Sequence, residues 1–227
     1  MQKTVGDIPG ILNIRDDILC YGEDTASHNR ALNNVLQRFN DCGLTLNKSK
    51  CQFNLDEVKF FGFIFSKDGV KQDPGKADII QSLEAPKSFD EIRSLVSMVA
   101  FSARFIPGFS SINAPLRKLT EKNAKWQWGH DEEKALEKLR TALSKDITLQ
   151  YYNKQYETRI YTDAGPNGLG AMLAQRKSGQ DSSWRPILFV SRSLTKVEQR
   201  YSQIEKEALG VRWACERLYL LVPNLKL

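Results

Sequence analysis

Two pairs of carboxylates in this sequence have the spacing and surroundings that could hold a metal ion. The first pair, Asp16 and Asp17, lies inside the stretch NIRDDIL, residues 13–19. Short apolar runs on both sides predict a tight hairpin with the carboxylates at its bend. Two negative charges beside half-buried strands are costly unless a cation lies against them, and carboxylate oxygens are ligands that divalent cations prefer. On a solvated turn, the same two residues are common and would not indicate a metal site.

The second pair, Asp163 and Glu207, is farther apart along the chain. Asp163 ends a strand predicted over residues 158–163, directly before a glycine-rich turn, and Glu207 follows the capping box at residues 202–205. Three meandering strands followed by a helix can place these carboxylates face to face, where they could bind one or two Mg²⁺ ions. On spacing alone, an aspartate such as Asp163 is more often a simple turn residue, and a glutamate such as Glu207 is more often a solvent-exposed residue of its helix.

Composition and charge narrow the class of protein. The 227 residues are enough for one large or two modest domains. A net charge of +6 favours an anionic partner without identifying it. No apolar run approaches the ~20 residues that span a bilayer, and the N-terminal segment lacks the apolar core of a signal peptide. We therefore expect no membrane partner, and the sequence does not otherwise define a location.

Cysteine and histidine usage argues against a zinc site. The four cysteines include no C-x-x-C pair, and the chain has only two histidines. This pattern predicts free thiols in an intracellular, reducing compartment. The sequence also lacks a Walker loop and a G-x-G-x-x-G motif, so neither of these phosphate-binding loops is expected.

Hydrophobic periodicity and turn residues predict the elements that must position the carboxylates. Helical spacing of apolar residues predicts helices that begin near residues 25, 74, 89, 115, 131 and 203. β-prone or alternating runs predict further strands at 44–46, 58–65, 158–163, 169–175 and 186–190. A turn predicted at residues 66–69 reverses the direction of the chain after the 58–65 strand, so that the chain returns through Val70.

Several linked segments, taken in order along nearly the whole chain, resemble the Pol polyproteins of gypsy-type LTR retrotransposons. They are NIRDDIL, GLTLNKSKCQF, KFFGFIFSKDGV, DPGKADII, SFDEIRSLVSMVAFSARFIPGFSSINAPLRKL, YTDAGPNGLGAMLAQ and SRSLTKVEQRYSQIEKEAL. The resemblance implies a mixed α/β (α+β) fold with four parts. These are a partial reverse transcriptase palm with an Asp-Asp hairpin and a primer-grip hairpin (1–70), a helical thumb (71–120), a connector and helix (121–145), and a partial ribonuclease H-like three-stranded sheet with a helix (146–227).

The same resemblance implies residue roles. Asp16 and Asp17 match the catalytic, metal-binding pair of the polymerase, and Asp163 and Glu207 match the first two metal-binding carboxylates of ribonuclease H. Both activities in this family use Mg²⁺ (or Mn²⁺) for two-metal phosphoryl transfer. Nucleic-acid contacts are implied for Lys50 near the leaving pyrophosphate, for Phe60, Phe61 and Gly62 of the primer grip, and for the thumb cations Lys76, Lys87, Arg93, Arg104, Arg117 and Lys118. The implied partner is an RNA–DNA hybrid or a primer–template duplex, although any single thumb cation is equally compatible with a solvated helix face.

Three departures from the family pattern affect the expected activity. Only 15 residues precede Asp16, whereas the family polymerases take a further aspartate from a strand upstream of this hairpin. The later ribonuclease H aspartates would follow the 203–220 helix, and the sequence stops at Leu227. Ile14 and Arg15 replace a usual tyrosine and a smaller or apolar residue, which favours a decayed copy.

We therefore expect a polymerase and ribonuclease H fragment that is inactive as an isolated chain. The missing ligands would come from the rest of the polyprotein or from a second copy. Two alternatives stay open. One is a non-enzymatic nucleic-acid-binding remnant that uses the basic thumb, and the other is a weak metal-dependent nuclease for RNA–DNA hybrids.

Overall fold

The computed structural model of this chain describes residues 2–179 and 183–219. The chain forms two compact units, residues 1–67 and 68–227. No helix in the described ranges is both long and apolar enough to cross a bilayer. The four cysteines are free thiols: Cys20, Cys42, Cys51 and Cys215.

The first unit begins with a two-stranded hairpin and a long helix. Its elements are α1 (Gln2–Val5), β1 (Ile11–Ile14), β2 (Asp17–Cys20) and α2 (Thr25–Asp41). Asp24 caps α2, because its carboxylate accepts a hydrogen bond from the Ser27 backbone N–H at 2.7 Å. Val35 and Phe39, one helical turn apart on α2, are buried with Val5 of α1 in a small apolar core.

The β-prone run at residues 58–65 forms a second hairpin, in the segment where the resemblance implies the primer-grip hairpin. Its strands are β3 (Glu57–Phe60) and β4 (Phe63–Ser66), and Phe60 pairs with Phe63. Phe61 and Gly62 form the two-residue loop and both have positive φ, 48° and 75°, as a type I′ turn requires. The strand predicted at 44–46 was wrong, since these residues are irregular and exposed in the structure.

The second unit begins with β5 (Gly69–Gln72) and a group of helices. The helices are α3 (Pro74–Ser82), α4 (Phe89–Phe101), α5 (Phe109–Ile112), α6 (Ala114–Lys118) and α7 (His130–Leu143). As predicted, Asp73 caps α3 with proline at its first position, and the Ser88 hydroxyl accepts from the Glu91 N–H at 3.2 Å. These helices share an apolar core formed by Ile80, Ile92, Leu95, Val99, Ile106, Leu116, Leu119, Ala135, Leu136, Leu139 and Leu143.

A three-stranded antiparallel meander completes the described part of the second unit. Its strands are β6 (Glu157–Ala164), β7 (Gly168–Arg176) and β8 (Arg185–Ser193), in the order β6-β7-β8. The three strands confirm the predictions and are longer at both ends. The helix α8 (Gln203–Leu218) lies on one face, where Leu218 and Leu173 share a buried cluster. It was predicted to reach Leu220, which lies outside the described residues.

Ser110 of α5 connects the helical part of this unit to the sheet. Its backbone N–H donates to the Ser191 hydroxyl at 2.9 Å, and its own hydroxyl donates to the Arg192 carbonyl at 3.0 Å. Gly168 lies directly beneath this contact. A Cβ atom at residue 168 would be 2.6 Å from the Ser110 Oγ and 2.9 Å from the Arg192 carbonyl oxygen.

We predict that Gly168→Ala lowers the free energy of unfolding of the second unit by about 1–3 kcal/mol, because the added methyl group overlaps the Ser110 hydroxyl, which is held by its hydrogen bond, and the Arg192 carbonyl oxygen, which is fixed in β8. Urea titration followed by tryptophan fluorescence measures this unit alone, since Trp126, Trp128, Trp184 and Trp213 all lie in it. Gly165→Ala is the matched control in the same turn, because its nearest neighbour would be at 3.6 Å. Equal stability of the two variants would contradict the proposed close approach.

Candidate metal and nucleic-acid sites

The structure places the Asp16 and Asp17 pair at the bend of the β1–β2 hairpin. Ile14 pairs with Asp17, so Arg15 and Asp16 form the loop and Asp17 opens β2. The Asn13 side-chain amide holds the loop by donating to the Arg15 and Asp17 carbonyls, each at 3.2 Å. Both carboxylates are exposed. Burial therefore does not force a cation onto this pair, and its metal-binding role remains a prediction.

Arg15 adopts a backbone conformation that is unusual for its side chain. Its φ is 55°, in the left-handed region that glycine and asparagine tolerate best. The arginine side chain is exposed beside the two aspartates. This geometry leaves Arg15 on the surface of the loop, where its guanidinium can reach an anionic ligand.

The residues predicted to grip a primer occupy different environments. Phe60 is buried and its ring lies edge-on to that of Phe65, with centroids 6.3 Å apart. Phe61 is 47% exposed at the apex of the turn, next to Gly62. Lys50 is exposed in a 3₁₀ turn over residues 48–50. Phe61, Gly62 and Lys50 are thus accessible, whereas the Phe60 side chain supports the hairpin from inside.

Several cations of the predicted thumb interact with groups on their own unit. Lys87 pairs with Glu84 at 2.8 Å, and Arg93 pairs with Asp90 at 3.1 Å. The first pair raises the pKa of Lys87 and lowers that of Glu84, mainly through their hydrogen bond. Exposed pairs of this kind contribute little to stability.

The side chains of the remaining thumb cations lie in three different surroundings. The Lys76 ammonium lies 3.5 Å from the centroid of the Phe101 ring. Arg117 donates to the Ser193 hydroxyl at 3.1 Å, so it contributes to the contact between α6 and the sheet. Arg104 and Lys118 are exposed. The predicted phosphate contacts of this segment remain predictions.

The Gln203 side chain ties Glu207 to the end of the strand that carries Asp163. Its amide nitrogen donates to the Ala164 carbonyl at 2.8 Å and to Glu207 Oε1 at 2.7 Å. Ala164 directly follows Asp163 at the end of β6. One amide group therefore holds Glu207, on the first turns of α8, against the strand end that carries Asp163.

The strand ladder explains why the Ala164 carbonyl is available to Gln203. The Gly165 N–H donates to the Gly168 carbonyl at 2.9 Å, so these two residues form a hydrogen-bonded pair. Pairs alternate in an antiparallel ladder, and the adjacent Ala164–Leu169 pair is therefore of the non-hydrogen-bonded type. The Ala164 carbonyl points away from β7 and toward the edge of β6 where Gln203 and Glu207 lie.

Asp163 and Glu207 are both exposed at this strand end. Glu207 keeps its Oε2 atom free of the Gln203 contact, and hard carboxylate oxygens of this kind suit Mg²⁺. Within the described residues, no three histidine, cysteine, aspartate or glutamate side chains come together as a metal site. The donors present thus fit a divalent cation in chemical type, and each pair offers two carboxylates.

An ion pair fixes the segment between β8 and α8. Arg192 makes a two-pronged contact with Glu198, with both N–O distances 2.8 Å, and Glu198 also accepts from the Thr195 N–H at 2.7 Å. These hydrogen bonds, led by that from Arg192, lower the pKa of Glu198 to about 2. Arg192 is also the residue whose carbonyl receives the Ser110 hydroxyl.

Sequence reasoning missed Gln203 and an aromatic–arginine cluster on the sheet. The Trp184 ring has the guanidinium carbons of Arg159 and Arg176 at 4.4 and 4.9 Å from its centroid, and Tyr161 meets it edge-on at 6.4 Å. The alternation of exposed residues along β6 could have revealed that Arg159, Tyr161 and Asp163 share one face. The i, i+4 spacing of Gln203 and Glu207 could have revealed their hydrogen bond.

We predict that Glu198→Gln removes a pH-dependent part of the stability of the second unit. Because the pKa of Glu198 is depressed in the folded state, its contribution is complete above about pH 4.5 and is lost as the pH falls through about 2. The variant should unfold with a free energy lower by roughly 1–3 kcal/mol at neutral pH. This difference should shrink in acid, as followed by urea titration at several pH values.

Glu216→Gln is the matched control for that measurement. Glu216 pairs with Arg212 at 2.9 Å on the exposed side of α8, where such a pair contributes little. Parallel pH profiles for wild type and Glu198→Gln would show that the Arg192 contact does not stabilise the fold.

Comparison with known proteins identifies two matching families. Residues 14–65 match the family described as reverse transcriptase (RNA-dependent DNA polymerase). Residues 128–225 match the family described as an RNase H-like domain found in reverse transcriptase. The first range contains the Asp16 and Asp17 hairpin, and the second contains Asp163 and Glu207.

The related sequences are transposon polyproteins. The chain is 28% identical over 196 residues to the transposon Tf2-3 polyprotein of Schizosaccharomyces pombe, a match that covers 86% of this chain and 15% of that polyprotein. It is 30% identical over 215 residues to the retrovirus-related Pol polyprotein from transposon gypsy of Drosophila melanogaster, covering 89% of this chain and 20% of that protein. The chain thus spans a fifth or less of these relatives.

Solved structures show the same fold. A foamy viral protease-reverse transcriptase in complex with dsDNA has a TM-score of 0.80 at 24% identity, over 98% of this chain and 46% of that one. The same kind of protein in complex with an RNA/DNA hybrid has a TM-score of 0.79 at 23% identity, over 98% and 30% of the two chains. The chain thus contains, in order, a segment of the reverse transcriptase family and an RNase H-like domain of reverse transcriptases, and its homologues are Pol polyproteins of LTR retrotransposons.

Proposed function

We propose that this chain binds RNA–DNA hybrid or primer–template duplex and contributes two carboxylates to each of two Mg²⁺ (or Mn²⁺) sites without completing either. The observation that carries this proposal is the pairing of the ligands. Gln203 ties Glu207 to the Ala164 carbonyl, one residue after Asp163 at the end of β6, yet the described residues contain no group of three metal-ligating side chains. The isolated chain should therefore bind nucleic acid without cutting or extending it.

Asp163 and Glu207 are the residues that would hold the cation at the end of β6. When bound, two such ions activate the attacking oxygen and stabilise the leaving oxygen of a phosphodiester. Gln203 orients Glu207, and the Arg192–Glu198 pair fixes the segment that leads into α8. Two carboxylates leave most coordination positions of Mg²⁺ to water. The remaining ligands would be supplied by the rest of a polyprotein or by a second copy.

Asp16 and Asp17 would serve the polymerase site in the same way. The Asn13 amide holds their loop, and the exposed Phe61–Gly62 turn and Lys50 would contact primer and phosphate. Side by side, the two carboxylates repel each other in the absence of a cation. A divalent ion therefore needs a further ligand to be held firmly by this pair.

The segment 71–120 would serve as the duplex-binding thumb. It presents exposed or weakly paired cations at residues 87, 93, 104 and 118, and such cations bind phosphates with an affinity that falls as salt rises. The net charge of +6 supports this assignment. The foamy viral structures with the same fold were solved with dsDNA and with an RNA/DNA hybrid, which supports duplex as the partner.

Gel analysis of the purified chain on an end-labelled RNA–DNA hybrid tests the proposal, with Mg²⁺, Mn²⁺ or EDTA. We expect a shifted band whose intensity falls with salt, and no metal-dependent cleavage. Asp163→Asn should shift the hybrid as wild type does, because one exposed carboxylate contributes little to the affinity for a polyanion. Asp16→Asn/Asp17→Asn is the control at the other pair.

Two outcomes would overturn parts of this proposal. Absence of any shift at low salt would exclude hybrid binding by this chain. Metal-dependent RNA cleavage that is lost in Asp163→Asn but kept in Asp16→Asn/Asp17→Asn would show a working nuclease instead. The second outcome has a structural basis, since the Gln203 contacts already hold Glu207 at the strand end.

A further inference from the structure

Lys206 is a buried lysine in the first turns of α8. It is 9% exposed, and no other lysine or arginine of the described residues is buried. Lysine is almost never fully buried without a partner, because taking an ammonium group out of water is costly. A cation near the N-terminus of a helix is also opposed by the helix dipole. A lysine with a buried stem must therefore carry its ammonium group to a partner or to solvent, and the helix dipole adds to the cost of a positive charge at this position.

The position of Lys206 follows from its neighbours on the same face of α8. Gln203 precedes it by about one turn and donates to the Ala164 carbonyl at 2.8 Å. Gly210 follows it by about one turn, and a Cβ there would be 3.9 Å from the Ala164 Cβ. Residues on both sides of Lys206 thus lie against Ala164, so the Lys206 stem lies over the end of β6 on the face of Ala164, opposite to the face that carries the Asp163 side chain.

The ammonium group of Lys206 has no partner among the described residues. Its side chain makes no hydrogen bond or ion pair there, although carboxylates flank it at Glu205 and Glu207. The Glu205 carboxylate accepts hydrogen bonds from the backbone N–H and the hydroxyl of Ser202, at 2.7 and 2.8 Å. Glu207 accepts from Gln203 instead. The Lys206 nitrogen is also not among the fully enclosed polar atoms without a partner, so it reaches a small opening to solvent.

We infer that Lys206 binds a phosphate of the nucleic-acid strand at the end of β6, beside Glu207. This inference rests on the proposed function, because it names a residue that would hold the strand near the Asp163 and Glu207 pair. A buried stem fixes the ammonium in one place, so little side-chain entropy is lost when a phosphate arrives. Its positive charge also offsets part of the negative charge of the carboxylates, which would otherwise repel the strand.

The test compares Lys206→Met with wild type in hybrid binding, measured by fluorescence anisotropy in EDTA over a range of salt. Loss of one phosphate contact should weaken binding about fivefold and reduce the slope of log affinity against log salt by about 1. Thermal unfolding of Lys206→Met should occur at about the same temperature, because the apolar side chain occupies the space of the buried lysine stem. Lys206→Arg should retain most of the binding and the slope.

Lys196→Met is the matched control, since Lys196 is an exposed lysine in the segment before α8. It should bind hybrid with nearly the wild-type affinity and salt slope. Lys206→Gln serves as a second variant that removes the charge and keeps a polar end. Its binding should fall as that of Lys206→Met does.

The outcomes separate this inference from the proposed function. If wild type binds hybrid and Lys206→Met binds equally well with the same slope, the lysine only covers the sheet and the inference is wrong. If the affinity of Lys196→Met falls as much as that of Lys206→Met, the effect is one of general charge and the inference is also wrong. A wild-type chain that binds no hybrid at low salt overturns both.

Discussion

The Gln203 side-chain amide fixes the start of α8 to the end of β6, and the geometry of the candidate ribonuclease site depends on this contact. Its two N–H groups reach the Ala164 carbonyl and Glu207 at the same time. Because the acceptor on β6 is backbone, the contact does not rely on the identity of a strand side chain. The far end of α8 is held by apolar contact between Leu218 and Leu173. A polar contact at one end of α8 and an apolar contact at the other fix the rotation of this helix about its own axis relative to the sheet.

The same end of the sheet is where the helical segment of the second unit is attached. Asp163 pairs with Gly170 in the β6–β7 ladder, and a Cβ at Gly170 would be 3.8 Å from the Cα of Gly108. Ser110 is bound to Ser191 and Arg192 close by. Segment 71–120 and the Asp163 strand therefore belong to one compact unit. A duplex held by cations of this segment would be held at a fixed distance from the carboxylate pair.

Much of the second unit could be predicted from its sequence, because local patterns and tertiary packing agree there. The strands around Tyr161 and Leu173 have clear apolar periodicity, and Ser202 caps α8 as its sequence predicts. The hairpin at residues 57–66 is implied by the family resemblance but not by the local pattern, because Phe61 occupies the positive-φ turn position, where a phenylalanine is not expected. Local pattern also could not reveal that Leu44 and Leu46 have no strand to pair with.

The contacts of the candidate sites depend on register and on helix rotation, which single-residue patterns do not encode. Whether Gln203 can reach a β6 carbonyl depends on which pairs of the ladder are hydrogen-bonded. Lys206 lies within the charged run EKE, which normally indicates a solvated helix face, and its burial follows only from the rotation of α8. Asp16 and Asp17 show the opposite case, since their hairpin was predictable but their exposure was not.

The two carboxylate pairs differ in how firmly the fold holds them, and this difference has a consequence for metal binding. Glu207 is tied to the strand end through Gln203, so part of the entropy cost of ordering a ligand is already met in the fold. The Asn13 amide orders only the backbone of the Asp16 loop, and the carboxylates there remain exposed. When further ligands are supplied, the Asp163 and Glu207 pair loses less side-chain entropy on binding a cation than the Asp16 and Asp17 pair does. This pair should therefore bind a divalent cation the more tightly of the two.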